Sequence, residues 1–299
     1  MRVLVTGAGG MLGRSFALYL SRHESWVNFL SHRSKMDVTD STAIQNGFNH
    51  SQPDVVIHLA ALTDVDLCQK EPDAAYLTNY LGTWFVAQAC AQRNITMVYL
   101  STDMVFDGSK ESSYIETDIP SPLNIYGKTK LAGECLVRNL VSHHYIIRTG
   151  WMFGGIQEDH KFVGKIIEQI LTGKELKVVT DRIGSPIYTE DLANKIINML
   201  TENLPWGTYH LANRGSCTRY EFARQIMDYS ELPNISIVPI LSSDFPVDTP
   251  RPAMTALRNY SLELMGKDDM RTWQEALNEY VAKMVKERKR KTEPLRIAR

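Results

Sequence analysis

Tyr126 and Lys130 stand four apart in the run Tyr126-Gly127-Lys128-Thr129-Lys130. On a helix this spacing puts both side chains on one face, a turn apart. A phenol beside an ammonium is a way to make a proton donor that works near neutral pH. Free tyrosine titrates near pH ~10. A unit positive charge about 5 Å away, at an effective dielectric of about 20, contributes roughly 3 kcal/mol, or about two pKa units. Upstream, Leu100-Ser101-Thr102-Asp103-Met104-Val105-Phe106-Asp107-Gly108 brings a second group, the Thr102 hydroxyl, just past a buried-strand pattern. A hydroxyl, a phenol and an ammonium are parts for reducing or oxidising a carbonyl.

Such parts need a scaffold and a hydride carrier, and the start of the chain predicts both. Arg2-Val3-Leu4-Val5-Thr6 reads as a short buried strand, and Arg14 to Arg22 as a helix. Between them lies Gly7-Ala8-Gly9-Gly10-Met11-Leu12-Gly13. Strand, glycine loop and helix together make a dinucleotide site, with backbone N–H groups reaching a pyrophosphate at the helix N-terminus. A second strand, Trp26 to Leu30, ends in Ser31-His32-Arg33-Ser34-Lys35, with no acid until Asp37. An acid there would favour NAD, whereas a base such as Arg33 favours the 2′-phosphate of NADP. NADP is therefore the expected cofactor, with NAD second.

The rest of the first half keeps the rhythm. Asp37-Val38-Thr39-Asp40 leads into a helix with Thr39 or Asp40 as N-cap. Pro53 to Ala61 is a third strand and its exit, where small Ala60 and Ala61 let a cofactor lie close to backbone; His58 within it reads as a core histidine. Asp73 to Arg93 reads as one long helix and Thr96 to Leu100 as the fourth strand. Pro122 to Val141 is the helix carrying Tyr126 and Lys130, and Tyr145 to Arg148 the fifth strand, ending at Thr149-Gly150-Trp151. This alternation predicts an α/β fold with a Rossmann-type, doubly wound parallel sheet over residues 1–150.

After Trp151 the pattern loosens. Helices are expected over Phe162 to Leu171, Asp191 to Leu200, Thr218 to Tyr229 and Thr272 to Glu287. Strands are expected at Leu176 to Val179 and Tyr209 to Leu211, and rigid loops at Asp181 to Pro186 and Pro250-Arg251-Pro252. Thr218 with Glu221 makes a capping box. These pieces read mainly as a smaller mixed α/β substrate-binding region, 151–285, and the sheet of the first unit can recruit segments from it. Residues 286–299 read as a basic, disordered tail.

Composition narrows the class. The chain of 299 residues is long enough for one large domain or two modest ones, and a net charge of −1 argues against a nucleic-acid or membrane partner. Glycines interrupt any leader-like core at the start, and no apolar run reaches membrane-spanning length. Four cysteines, Cys68, Cys90, Cys135 and Cys217, are widely spaced, without a Cys-x-x-Cys pair. They read as reduced thiols of a cytoplasmic protein. Eight histidines show no metal-ligand spacing, so no metal is expected.

Taken together, the motifs resemble the extended short-chain dehydrogenase/reductases and, among them, the dTDP-4-dehydrorhamnose reductase family, from Met1 to about Val285. The resemblance is carried by Gly7/Gly10/Gly13, His58-Leu59-Ala60-Ala61 with Thr63 and Val65-Asp66, and Asn79 with Gly82. It continues through Ser101-Thr102-Asp103 with Val105-Phe106, the Tyr126/Lys130 pair, Arg148-Thr149 with Trp151, Gly184 with Pro186, and Arg251-Pro252. It implies reduction of the 4-keto carbon of a deoxyhexose carried on a nucleoside diphosphate. Tyr126 would be the proton donor, Lys130 would hold the nicotinamide ribose and lower the phenol's pKa, and Thr102 would bond the reacting oxygen. Thr102 and Asp103 would touch the sugar, Trp151 would pack on it, and Arg251 would meet the diphosphate. Gly7, Gly10, Met11, Leu12, Gly13, Arg33, Asp37, Val38, Ala60, Ala61, Thr63 and Leu100 would line the cofactor with Tyr126 and Lys130. A monomer or homodimer is expected.

Departures fall on the substrate side. Met104 stands where the family has Tyr, Gly150 where it has Ser, Lys161 before Phe162 where it has Asn, Ile187 where it has Thr, and Thr255 where it has Ser. They bear on which sugar or base is taken rather than on the reductase chemistry. Two other readings compete. One is a catalytically silent regulatory protein of the methionine adenosyltransferase regulatory-subunit type. The other is a sugar-nucleotide epimerase, which would show no net cofactor consumption.

Overall fold

The computed structural model describes residues 1–155, 161–233, 235–244 and 248–292. In chain order the first half runs β1 (Arg2–Thr6), α1 (Met11–Leu20), β2 (Val27–Ser31), α2 (Ser41–Ser51), β3 (Val55–His58), α3 (Val65–Lys70), α4 (Pro72–Tyr76), α5 (Gly82–Gln92), β4 (Thr96–Leu100), α6 (Ile125–Leu140) and β5 (His144–Arg148). The second half runs β6 (Met152–Phe153), α7 (Phe162–Thr172), β7 (Leu176–Val179), β8 (Ile183–Gly184), β9 (Ile187–Tyr188), α8 (Thr189–Thr201), β10 (Gly207–His210), β11 (Cys217–Thr218), α9 (Arg219–Ser230), β12 (Ile237–Ile240), α10 (Tyr260–Leu264) and α11 (Trp273–Thr292).

A six-stranded sheet in the order β10-β5-β4-β3-β1-β2 is the centre, and every neighbouring pair in it is parallel. Its residues alternate between two apolar layers, as strand geometry requires. Val3, Val5, Ile57, Val98 and Ile147 face one core with Leu12, Phe16 and Leu20 of α1. Leu4, Val56, Met97, Tyr99 and Ile146 face the other, with Ile44, Phe48, Val86 and Val137 from α2, α5 and α6. Burial on both faces explains why these strands read as near-continuous apolar runs.

Two segments beyond residue 150 join this sheet unit. β10 adds the sixth strand beside β5, with Gly207 opposite Tyr145 and His210 opposite Arg148. α8 lays Leu192, Ala193, Ile196, Ile197 and Leu200 into the same core as α1. An edge strand and an amphipathic helix carry the same local signal wherever they dock, so the sequence pattern alone does not assign them. The expected single helix over Asp73 to Arg93 is split: α4 passes through a π-helical turn, Leu77–Leu81, into α5. The tail reading is also revised, because α11 continues to Thr292. Residues 293–299 lie outside the described part.

A second core joins α7, α9 and α11 around Phe153, Tyr188, Phe222, Trp273 and Tyr280. The strand pairs β7–β12, β6–β9 and β8–β11 edge it. The Thr218/Glu221 capping box forms as expected. This layer stands over the C-terminal ends of β4 and β5, where a doubly wound sheet places its ligands.

Candidate active site

The glycine loop divides its work by position. Gly7 has φ +67°, and a Cβ on it would lie 2.7 Å from the Ala60 nitrogen. A Cβ on Gly13 would lie 2.5 Å from Ala8 Cα. These two glycines let β1, α1 and the β3 exit close on one another. Gly10 differs: a Cβ there would meet only the Gly7 oxygen, at 3.4 Å, and the residue is exposed. Gly10 is also the N-cap of α1, and no side chain caps that end. The first N–H groups of α1, at Met11, Leu12 and Gly13, therefore have no capping side chain, and no acidic residue stands in the first turn. That is the donor set a pyrophosphate fits.

Around the loop, the residues expected to line a cofactor are mixed in character. Arg33 is exposed and pairs with Asp37 at 3.0 Å. Asp37 also accepts from the Thr39 backbone and hydroxyl, at 2.9 and 2.8 Å. These bonds and the Arg33 charge hold its carboxyl below the usual range. Asp37 is thus a turn-former and the ion partner of Arg33. Val38 is buried against Gly82. Ala60 and Ala61 are half-buried and Thr63 is exposed. The loop holding them is tied down by Asn79, which accepts from the Leu62 N–H at 2.7 Å and donates to the Leu62 carbonyl at 3.0 Å and the Thr129 hydroxyl at 3.0 Å. Asn79 sits in the π-helical turn, and such turns often mark functional positions.

At the end of β4, Thr102 is buried, and its Oγ1 donates to Asp103 Oδ1 at 3.1 Å. The Thr102 hydroxyl acts on the Tyr126 phenol, opposing the effect of burial. Lys130 follows one turn on, with its Nζ 4.2 Å from the centre of the Tyr99 ring. The three groups expected to do the chemistry are therefore brought together, with Leu100 half-buried beneath them. Their frame is rigid. Asn124 caps α6, accepting from the Gly127 N–H at 2.9 Å and donating to the Pro250 carbonyl at 3.0 Å. Glu134, fully buried one further turn along α6, accepts from Ser101 Oγ at 2.5 Å and takes both arms of Arg148, at 2.9 and 2.8 Å. This pair fixes α6 to the ends of β4 and β5.

One expectation is corrected by the electrostatics. Lys130 was expected to lower the Tyr126 pKa, but burial pushes the phenol up instead. The groups that act on it are Thr102, Asp103 and Cys68; the Lys130 ammonium lies over the Tyr99 ring. Burial brings Lys130 itself down to about 7, against the pull of Glu134. Burial likewise pushes Asp103 up to about 6, opposed by the hydroxyls of Thr255 and Thr102 and the charge of Arg219. His58, as expected, is a core residue. Its ring nitrogens meet Thr6 at 2.7 Å and Thr83 at 3.2 Å, and burial brings it down to about 3.

On the substrate side, Arg251 pairs with Asp66 at 2.8 Å. Trp151 adopts φ +43° and packs against Gly184, where a Cβ would come within 2.2 Å of its ring. Sequence reasoning missed Arg219, whose guanidinium lies 3.5 Å from the centre of the Trp151 ring. An arginine just after an N-cap looks like any surface residue of a helix. Glu134 was also missed, although its place four residues beyond Lys130 was a readable signal.

Known proteins share this architecture. The family model described as the RmlD substrate binding domain matches residues 1–286. The chain is 40% identical over 280 residues to the spore coat polysaccharide biosynthesis protein SpsK of Bacillus subtilis, covering 94% of this chain and 96% of that one. It superposes on a dTDP-4-dehydrorhamnose reductase from Clostridium acetobutylicum with a TM-score of 0.90 and 37% identity, over 94% of this chain and 99% of that one. A dTDP-4-dehydrorhamnose reductase from Bacillus anthracis, solved in complex with NADP, gives 0.89 and 35%, with the same coverage. On its motifs, its fold and a match spanning nearly its whole length, the chain belongs to the RmlD family, that of the dTDP-4-dehydrorhamnose reductases.

Proposed function

We propose that this chain is an NADP-dependent oxidoreductase reducing the 4-keto group of a nucleoside-diphosphate deoxysugar. The first substrate to test is dTDP-4-dehydrorhamnose, which would give dTDP-L-rhamnose; NAD is the alternative cofactor. The observation that carries the reading is the action of the Thr102 hydroxyl on the Tyr126 phenol, with Lys130 one turn on along α6, in a fold whose first helix has an N-terminus that no side chain caps.

The N–H groups of Met11, Leu12 and Gly13, approached past Gly10, would hold the cofactor diphosphate, with Arg33 available to a 2′-phosphate. When bound, the reduced nicotinamide supplies the hydride. The chain supplies the proton. Burial keeps the Tyr126 phenol protonated at neutral pH, so it stands ready as an acid. As the carbonyl oxygen gains negative charge, Thr102 orients it and Tyr126 gives up its proton, leaving an alcohol on the sugar and a phenolate on the enzyme. Lys130, one turn along α6, is the residue that would hold the nicotinamide ribose. A positioned acid of this kind is typically worth ~10²–10⁴-fold.

All four cysteines are free thiols, Cys68, Cys90 and Cys217 buried and Cys135 exposed, and no helix among the described residues is long and apolar enough to cross a membrane. We further propose a cytoplasmic location and a monomer or homodimer. The test is consumption of NADPH by the full chain with a panel of 4-keto sugar nucleotides. Stoichiometric oxidation with one substrate supports the reading. Tight NADPH binding without turnover of any of them would favour a silent regulatory relative, and product exchange without NADPH consumption an epimerase.

A further inference from the structure

Asp103 stands beside the catalytic threonine, yet its carboxyl has no step in the reaction above. The residue is 3% exposed, and its N–H donates to the Thr149 carbonyl at 2.9 Å. Oδ1 accepts from the Thr102 hydroxyl at 3.1 Å, whereas Oδ2 is buried without a hydrogen-bond partner among the described residues. Oδ2 lies over Gly150, where a Cβ would come within 2.3 Å of it. Glycine at this position, where the family has Ser, leaves the room that the carboxyl fills.

A hydroxyl carries a single hydrogen, and an ionised carboxylate only accepts. Thr102 gives its hydrogen to Asp103, and its oxygen accepts from the Met104 N–H at 3.2 Å. So arranged, Thr102 has nothing left to donate to a carbonyl oxygen that is gaining negative charge. A neutral Asp103 reverses the bond: Oδ1 donates to Thr102 Oγ1, and the threonine hydrogen is released toward the substrate. The neutral form serves Tyr126 as well. The charge of Asp103 makes the phenol harder to ionise, because a phenolate beside a carboxylate is a pair of like charges.

We infer that Asp103 is a positioning residue that acts through Thr102: when neutral it frees the threonine hydrogen for the substrate oxygen, and when ionised it takes that hydrogen away. The inference rests on the keto-reductase reading above. The surroundings of the carboxyl are balanced for such a role. Burial brings it up to about 6, against the hydroxyls of Thr255 and Thr102 and the charge of Arg219. The Thr255 hydroxyl itself donates to the Ile183 carbonyl at 3.4 Å. The titratable and charged groups around Asp103 are thus Tyr126 from α6 and Arg219 from α9, and Arg251 acts in turn on Arg219.

The test follows kcat against pH for the full chain, with a 4-keto sugar nucleotide and saturating NADPH, so that cofactor capture does not enter. Wild-type kcat should fall as pH rises through the Asp103 titration, to roughly a tenth of its acid-side value about one pH unit above the midpoint. Asp103→Asn cannot ionise, and its amide can donate to Thr102; its kcat should persist to higher pH. Arg219→Gln removes the charge that favours the carboxylate, so its midpoint should also move up. Infrared difference spectra without substrate should show a protonated-carboxyl band that fades in wild type as pH rises through about 6 and is missing from Asp103→Asn. NADP affinity, measured separately, certifies the fold; if Asp103→Asn fails that check, Arg219→Gln decides on the same criterion. A midpoint unchanged in Asp103→Asn, or a wild-type kcat that rises with pH through this range, overturns the inference and leaves the reductase reading standing. Wild type that binds NADPH but turns over no keto sugar overturns both.

Discussion

Lys130 gives the site its pH dependence. Burial brings its ammonium down to about 7, so the charge is present below that pH and lost above it. In the reaction proposed here, kcat/KM for NADPH should fall as pH rises through about 7, because the free enzyme's titration governs that parameter. Lys130→Arg, whose charge persists, should have lower activity but no limb in this range; an unchanged limb would assign the titration elsewhere. The stability sign is opposite. Between about 7 and the ordinary lysine value only the unfolded chain binds this proton, so Lys130 should make stability rise with pH across that window. The glycines separate at the same scale. Gly10→Val should fold, since a Cβ there has room, yet abolish NADP binding measured by fluorescence titration. Gly13→Ala should instead lower the melting temperature, because its Cβ would press on Ala8.

At the scale of elements, α6 matters as a unit because of what pins it. Asn124 fixes its start to the loop of Arg251, and Glu134 fixes its middle to Arg148 and Ser101. Glu134→Gln would leave Arg148 charged and buried without its anion. Breaking such a pair typically costs about 3–5 kcal/mol. The expected result is a drop of that size in denaturant-derived stability with the residual NADP affinity of the folded fraction retained; a change below about 1 kcal/mol would mean the network matters little. Much of this frame was legible in the sequence. The strand at Thr96–Leu100 and the capping box at Thr218 were read where they stand, because apolar runs and cap residues are local signals. The dockings of β10 and α8 were not, because an edge strand and an amphipathic helix do not carry their address in their own pattern.

Across the whole molecule, the sheet fixes the cofactor side and the later layer brings arginines and aromatics down onto it. Thr102, Tyr126 and Lys130 were named from their types and spacing together with the glycine loop and the family resemblance. The direction of the Tyr126 shift was not, since burial is a property of the assembled fold and here outweighs the opposing Thr102 hydroxyl. Arg219 was illegible for the same reason: only the fold lays it over Trp151. The account's central claim is that Tyr126 is the proton donor of a keto-sugar reductase. Tyr126→Phe keeps the ring and removes the acid, so the decisive measurement is its turnover of dTDP-4-dehydrorhamnose with NADPH, beside the dissociation constant for NADPH. The account predicts a fall in kcat of ~10²–10⁴-fold, equivalent to about 3–5 kcal/mol of barrier, with cofactor affinity nearly unchanged. Turnover close to wild type in a variant that binds NADPH normally would contradict it.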